Sequence, residues 1–118
     1  MPIHTKRIYE KALEEDGIRI LVDRLWPRGL SKKDAQVDIW LREIAPSAEL
    51  RTWFNHDRSK WEKFKSSYSV ELDKNPQLTT QLLQKARDGT ITLVFSAKEE
   101  KFNNAVALRE YLDEKLQA

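Results

Sequence analysis

The segment from Val22 to Gly29 combines residue types that can bind an anion. It reads Val-Asp-Arg-Leu-Trp-Pro-Arg-Gly and follows directly on an apolar run. Arginine offers a planar, bidentate fork to a phosphate or carboxylate, and Trp26 could stack on a ring or plug the sheet. Pro27 lacks a backbone donor and restricts the residue before it to extended geometry, so a strand should end here. Arg24 and Arg28 are therefore predicted at the carboxyl end of a strand, where α/β proteins bind ligands.

A second polar segment lies between the apolar run 90–95 and the last predicted helix. It offers a hydroxyl, an ammonium group and two amides, those of Ser96, Lys98, Asn103 and Asn104. The start of a helix adds free N–H groups with partial positive charge, which suit a phosphate or carboxylate. A structural alternative stays open, in which Asn103 caps the helix and Lys98 pairs with Asp23.

Two side chains are candidates for acid–base chemistry, Asp23 and His56. His56 precedes Asp57, but neighbours in sequence rarely orient each other, and packing on Trp53 is the structural alternative. The chain has no cysteine, which excludes thiol nucleophiles, disulfides and cysteine-ligated metals. With only two histidines and no glycine-rich phosphate loop, the sequence predicts no metal and no cofactor.

The composition is typical of one globular domain spanning residues 1–118. Apolar residues make up 40% of the chain and charged residues 34%, and the net charge of +2 does not by itself imply nucleic acid. No apolar run approaches the roughly 18 residues of a membrane helix, and the N-terminus lacks the apolar core of a secretion signal. We therefore expect a cytoplasmic protein with no membrane partner.

Apolar periodicity predicts the elements that position these residues. The expected strands are Ile3–Tyr9, Ile18–Leu25 and Thr90–Phe95. Helices are expected after caps at Ser31, Ser47, Ser59 and Asn75, with a last helix over Asn103–Leu116. The first of these is predicted to carry Ile39, Trp40, Leu41 and Ile44. This order favours an α/β fold with a small, mostly parallel sheet flanked by helices.

Parallel second and third predicted strands would bring both polar segments to one edge of the sheet. We therefore predict that a small anionic ligand is bound by Arg24, Trp26, Arg28, Ser96, Lys98, Asn103 and Asn104. Two alternatives stay open. The basic segment 19–33, with five cations and one acid, could bind nucleic acid, although this is the less favoured reading. The aromatic-rich region 40–68 could form a dimer or partner surface.

The Asp-Arg-Leu-Trp-Pro-Arg-Gly run, together with His56-Asp57 and Leu93-Val94-Phe95, resembles the YeaO-like family of uncharacterised bacterial proteins, domain of unknown function 488. The resemblance covers almost the whole chain and implies a compact α/β domain with no established activity. Members often carry a histidine where this chain has Phe102. A longer branch has a cysteine near the end of the third predicted strand, where this chain has Phe95 and Ser96. Both departures speak against acid–base or thiol chemistry at these positions.

Overall fold

The structure, a computed structural model, describes residues 3–117. Four parallel strands form one sheet in the order β1-β4-β2-β3, with bounds β1 Ile3–Arg7, β2 Ile18–Leu21, β3 Ile39–Trp40 and β4 Ile91–Phe95. The helices are α1 Lys32–Ala35, α2 Ala48–Phe54, α3 Trp61–Asp73, α4 Pro76–Asp88 and α5 Asn104–Gln117. Short 3₁₀ turns cover Glu14–Asp16, Arg42–Ile44 and Arg58–Lys60. The predicted α/β fold with a small parallel sheet is confirmed.

The two faces of the sheet are covered very differently. On the first face, Ile20, Leu93 and Phe95 pack against apolar residues of α2, α3, α4 and α5 in the main core. On the second face, Leu21 and Val94 meet only a small cluster that includes the short helix α1 and two tryptophans. Successive strand residues point to opposite faces, so β4 places apolar residues on both. Its one polar residue, Thr92, donates its hydroxyl to the carbonyl of Asp16 at 2.7 Å.

The prediction of a helix through Ile39 and Trp40 is wrong. These residues form β3, pairing with Ile20 and Leu21 at the edge of the sheet. The indole N–H of Trp40 donates to the carbonyl of Asp23 at 2.8 Å. A β-branched residue beside an aromatic one suits a strand, and β3 satisfies backbone groups that β2 would otherwise leave open.

Element ends also differ from the predictions. The first strand ends at Arg7 and the second at Leu21, and Leu25 is 70% exposed. The Ser59 capping box does not form, because the carboxylate of Asp57 accepts both the N–H and the hydroxyl of Ser59. The predicted caps at Ser31 and Ser47 are confirmed, since each hydroxyl accepts a backbone N–H of the following helix. No helix within residues 3–117 is long and apolar enough to cross a membrane.

A buried ionic cluster of Lys6, Asp16 and Arg19 completes the second face. Asp16 accepts from the ammonium group of Lys6 at 2.9 Å and from the guanidinium of Arg19 at 2.8 Å. Arg19 also donates to the carbonyls of Ala35 and Gln36, at the end of α1. This cluster therefore fixes β1, β2 and α1 on a face that has few helices to cover it.

Candidate functional site

The candidate site lies where β2 and β4 end side by side. After β2 the chain turns to the second face and enters α1, whereas after β4 it continues into α5 on the first face. Such a divergence between neighbouring parallel strands leaves a crevice that α/β proteins use for ligands. A cleft of about 330 Å³ opens at this point, at the lower end of the range for small-molecule sites.

The floor of the cleft is closed by the carboxylate of Asp23. It accepts the backbone N–H of Ser96 at 2.8 Å, the hydroxyl of Ser96 at 2.9 Å and the amide of Asn104 at 3.1 Å. Asn104 also donates to the carbonyl of Val22 at 3.1 Å. The predicted proximity of Asp23 and Ser96 is thus confirmed. The alternative pairing with Lys98 is replaced by these bonds.

Asp23 is therefore a structural bridge between the ends of the two central strands. Replacing Asp23 with alanine is expected to lower the free energy of unfolding by about 2–3 kcal/mol, because charge-assisted hydrogen bonds are lost and Asn104 loses a partner. Urea denaturation measures this change. The exposed Asp34→Ala is the matched control, with an expected change within about 0.5 kcal/mol. Equal effects of the two substitutions would contradict the assignment.

Arg24 lines the wall of the cleft and is poorly satisfied. Its terminal nitrogen lies 3.5 Å from the carbonyl oxygen of Ala45, at the limit of a hydrogen bond. Its Nε is buried and has no hydrogen-bond partner within residues 3–117. A buried donor left without a partner costs about 1–3 kcal/mol, so this guanidinium is suited to donate hydrogen bonds to an oxygen atom of a ligand.

Two further basic side chains line the cleft near its opening, Arg51 and His56, both exposed. Arg51 lies in the last turn of α2 and accepts, through its carbonyl, the N–H of Asn55. Asn55 and His56 then both adopt left-handed backbone conformations, with φ of 44° and 56°. Such conformations are uncommon for residues other than glycine, and this sharp reversal carries His56 back over the cleft.

His56 and Asp57 do not form a catalytic pair. Asp57 uses its carboxylate to cap the turn at Ser59, and hydrogen bonds from the hydroxyl and N–H of Ser59 lower the pKa of Asp57. The imidazole lies 6.5 Å from the ring of Phe54, measured between centroids, so the predicted aromatic contact is with Phe54 in place of Trp53.

The start of α5 is already capped from within the chain. The buried Asn103 accepts the N–H of Val106 at 2.9 Å and donates to the carbonyl of Glu99 at 2.7 Å. The structural alternative for Asn103 is therefore the one observed. Asn103 and Asn104 both line the cleft, but their amides already have protein partners. The cations of the wall are the groups left to hold an anion.

Three of the predicted ligand residues, Trp26, Arg28 and Lys98, do not line the cleft. Trp26 packs edge-on against Trp40 on the second face and donates its indole N–H to Leu30, so it plugs the sheet. Arg28 is exposed in the turn beyond Pro27, and Lys98 is exposed on the loop after β4. Trp26 and Arg28 lie outside the cleft because the turn after β2 directs the chain toward α1, whereas Lys98 belongs to the separate loop after β4.

Part of the cleft lining was not predicted from the sequence. Arg51 and the apolar lining formed by Ala45, Pro46, Phe54, Phe64, Ala97 and Phe102 were not predicted as site residues. The Ser47 cap locates α2 in the sequence but carries no information on its direction. One signal for this part of the site is present in the sequence. The polar pair Asn55-His56 directly follows the apolar pair Trp53-Phe54, and the turn contains no glycine.

The two alternative functions depend on the basic segment and on the aromatic-rich region. Within the basic segment 19–33, Arg19 is buried in the ionic cluster and Arg24 lines the cleft. The other three cations, Arg28, Lys32 and Lys33, are exposed. In the aromatic-rich region 40–68, Trp61, Phe64 and Tyr68 are core residues. Nucleic-acid binding and partner binding therefore stay predictions.

Comparisons with known proteins agree on the family. The family model described as "Inactive DUF488-N3 subclade" matches residues 2–118. The chain is 42% identical over 112 residues to Uncharacterized protein YeaO of Escherichia coli (strain K12), covering 95% of this chain and 97% of that protein. It is 34% identical over 111 residues to Uncharacterized protein Rv3073c of Mycobacterium tuberculosis (strain ATCC 25618 / H37Rv), covering 94% and 93%. No solved structure matches. The chain therefore belongs to the YeaO-like DUF488 family.

Proposed function

We propose that this protein binds a small anion in the cleft at the ends of β2 and β4. The observation that carries the proposal is Arg24, a cleft-lining guanidinium whose buried Nε has no partner within residues 3–117. Burying such a group without compensation is unfavourable, so it is retained most readily where a ligand completes its hydrogen bonds.

The charge balance of the cleft supports the same proposal. Arg24 and Arg51 contribute two positive charges, and neither forms an ion pair with a carboxylate of residues 3–117. The opposing charge of Asp23 is stabilised by its bonds to Ser96 and Asn104. The charged side chains of the lining, two arginines and Asp23, therefore sum to a net charge of +1, which favours an anion.

We infer binding without turnover. Asp23 is engaged by three hydrogen bonds. Among residues 3–117 no carboxylate accepts a hydrogen bond from the His56 ring, and the neighbouring Asp57 bonds to Ser59. The chain has no cysteine to act as a nucleophile. The description of the matching subclade as inactive agrees with a domain that holds its ligand and does not transform it.

A titration followed by two-dimensional NMR tests the proposal, using inorganic phosphate and acetate at low ionic strength. We expect at least one anion to shift the amide signals of Ser96 and Asn104. Arg24→Gln should lower the affinity for that anion at least tenfold, because a charge-assisted hydrogen bond contributes about 1.5–3 kcal/mol.

The matched control is Arg28→Gln, which removes the same charge from an exposed arginine outside the cleft. This substitution should leave the affinity within about twofold of the wild-type value, because a screened surface charge contributes little to binding. Equal weakening by both substitutions would mean general charge attraction and would contradict a site at Arg24.

A further inference from the structure

We propose that the preferred ligand is a monocarboxylic acid with an aromatic or similarly bulky apolar body. This inference rests on the proposed function and specifies the chemical class of the anion. The carboxylate would meet Arg24, and the body would lie along Phe54, Phe64 and Phe102, which line the same cleft.

The apolar wall is a rigid assembly of rings. The rings of Phe54 and Phe64 stack with centroids 4.3 Å apart, and Phe102 meets Trp61 edge-on at 5.5 Å. The guanidinium of Arg58 lies over the ring of Phe102 at 5.2 Å and is itself paired with Glu99. A preorganised ring surface of this kind favours an apolar or aromatic ligand body, since little ordering is needed on binding.

The remaining lining is also largely apolar. Ala45 and Pro46 are buried beside Arg24, and Ala97 is held in place by a 3.1 Å bond from Arg7 to its carbonyl. A fully hydrated phosphate would leave this surface unused and would lose hydration on entering. An organic acid instead buries its hydrocarbon body there, at about 25 cal/mol per Å² removed from water.

Charge and size point in the same direction. One guanidinium at the wall can form a bidentate pair with one carboxylate. A polyphosphate would bring several negative charges to a lining whose charged side chains, Arg24, Arg51 and Asp23, sum to only +1. The cleft of about 330 Å³ suits a small organic acid better than a nucleotide.

The test compares four probes by NMR titration of the full chain: phenylacetate, acetate, inorganic phosphate and neutral phenylacetamide. We expect phenylacetate to bind at least tenfold more tightly than each of the others, with shifts at Ser96 and Asn104. Arg24→Gln should reduce phenylacetate affinity at least tenfold. Phe102→Leu should reduce phenylacetate affinity several-fold and leave acetate unchanged, and thermal melting confirms that each variant is folded.

The outcomes separate this inference from the proposed function. If phosphate or acetate binds as tightly as phenylacetate and depends on Arg24, the anion site stands and the organic-acid inference is overturned. If phenylacetamide matches phenylacetate, the cleft selects an apolar body without charge, and the anion site is overturned. If no probe shifts the cleft signals, both proposals fail.

Discussion

Replacing Asp16 with alanine is expected to lower the free energy of unfolding by about 3–5 kcal/mol, because removing one partner of a buried ion pair leaves the other charge uncompensated. Arg19 is only 3% exposed, and Asp16 is its carboxylate partner at 2.8 Å. The substitution also removes the acceptor for Lys6 and for the N–H of Leu13. Urea denaturation at neutral pH measures the change.

The matched control is Glu15→Ala, which removes an exposed carboxylate from the same turn. Its expected effect is within about 0.5 kcal/mol, as for most surface substitutions. A loss below about 1 kcal/mol in the Asp16 variant would show that Arg19 finds other partners or water, and that the buried charge cluster does not stabilise the second face.

The contribution of the Asp16 carboxylate to the free energy of unfolding should depend on pH. Burial raises the pKa of Asp16, but hydrogen bonds from the Leu13 N–H, Lys6 and Arg19 outweigh burial, so the pKa in the folded protein is lowered. The carboxylate therefore stabilises the fold above the unfolded pKa of about 3.9, and this contribution is lost as the pH falls through the folded value. The stability difference between wild type and Asp16→Ala should shrink on acidification below about pH 4. A difference that stayed constant from neutral to acidic pH would contradict this linkage.

Gly17→Ala is expected to destabilise the protein by about 4 kcal/mol, among the largest effects of a single substitution. Gly17 has a φ of 64°, and a Cβ at this position would overlap the carbonyl oxygen of Thr90. That oxygen accepts the N–H of Ile18 at 3.1 Å, where β2 begins beside β4. The backbone must move to admit the methyl group, which weakens the pairing of the two central strands.

Gly29→Ala is a control that separates the steric overlap with Thr90 from the cost of placing an alanine in a left-handed backbone conformation. Gly29 has a similar φ of 72°, but a Cβ there meets no atom within 4 Å. This control should lose only about 1–2 kcal/mol, the cost of left-handed geometry for an L-residue. Equal thermal shifts for the two variants would show that the contact with Thr90 relaxes easily.

Local chemistry made much of the fold predictable. The apolar runs in 18–22 and 91–95 identify the two central strands, and the caps at Ser31 and Ser47 mark real helix starts. Parallel pairing of β2 and β4 follows from the long helical connection between them, and it brings Asp23 to Ser96. These features depend on signals within a few residues of each other or on a simple rule of chain connection.

The second face of the sheet was less accessible to sequence reasoning. β3 pairs through only Ile39 and Trp40, too short a run to show a strand period. Arg19 reads as one cation of a basic segment, yet it is buried because Asp16 and the end of α1 satisfy its guanidinium. Asp16 lies only three residues before Arg19, but this spacing does not show that the pair is buried, because Ala35 at the end of α1 is 16 residues away.

The sequence by itself determined the family, the α/β class and the pair of strand ends at which the cleft opens. Only the tertiary structure decided which cations share that cleft: Arg24 and Arg51 line it, whereas Arg28 and Lys98 lie outside. The physical reason is that the turns of the backbone set the direction of each side chain. Residue type and spacing fix what a side chain can do, but the turns after β2 and α2 fix where it points, and those turns are set by packing between distant parts of the chain.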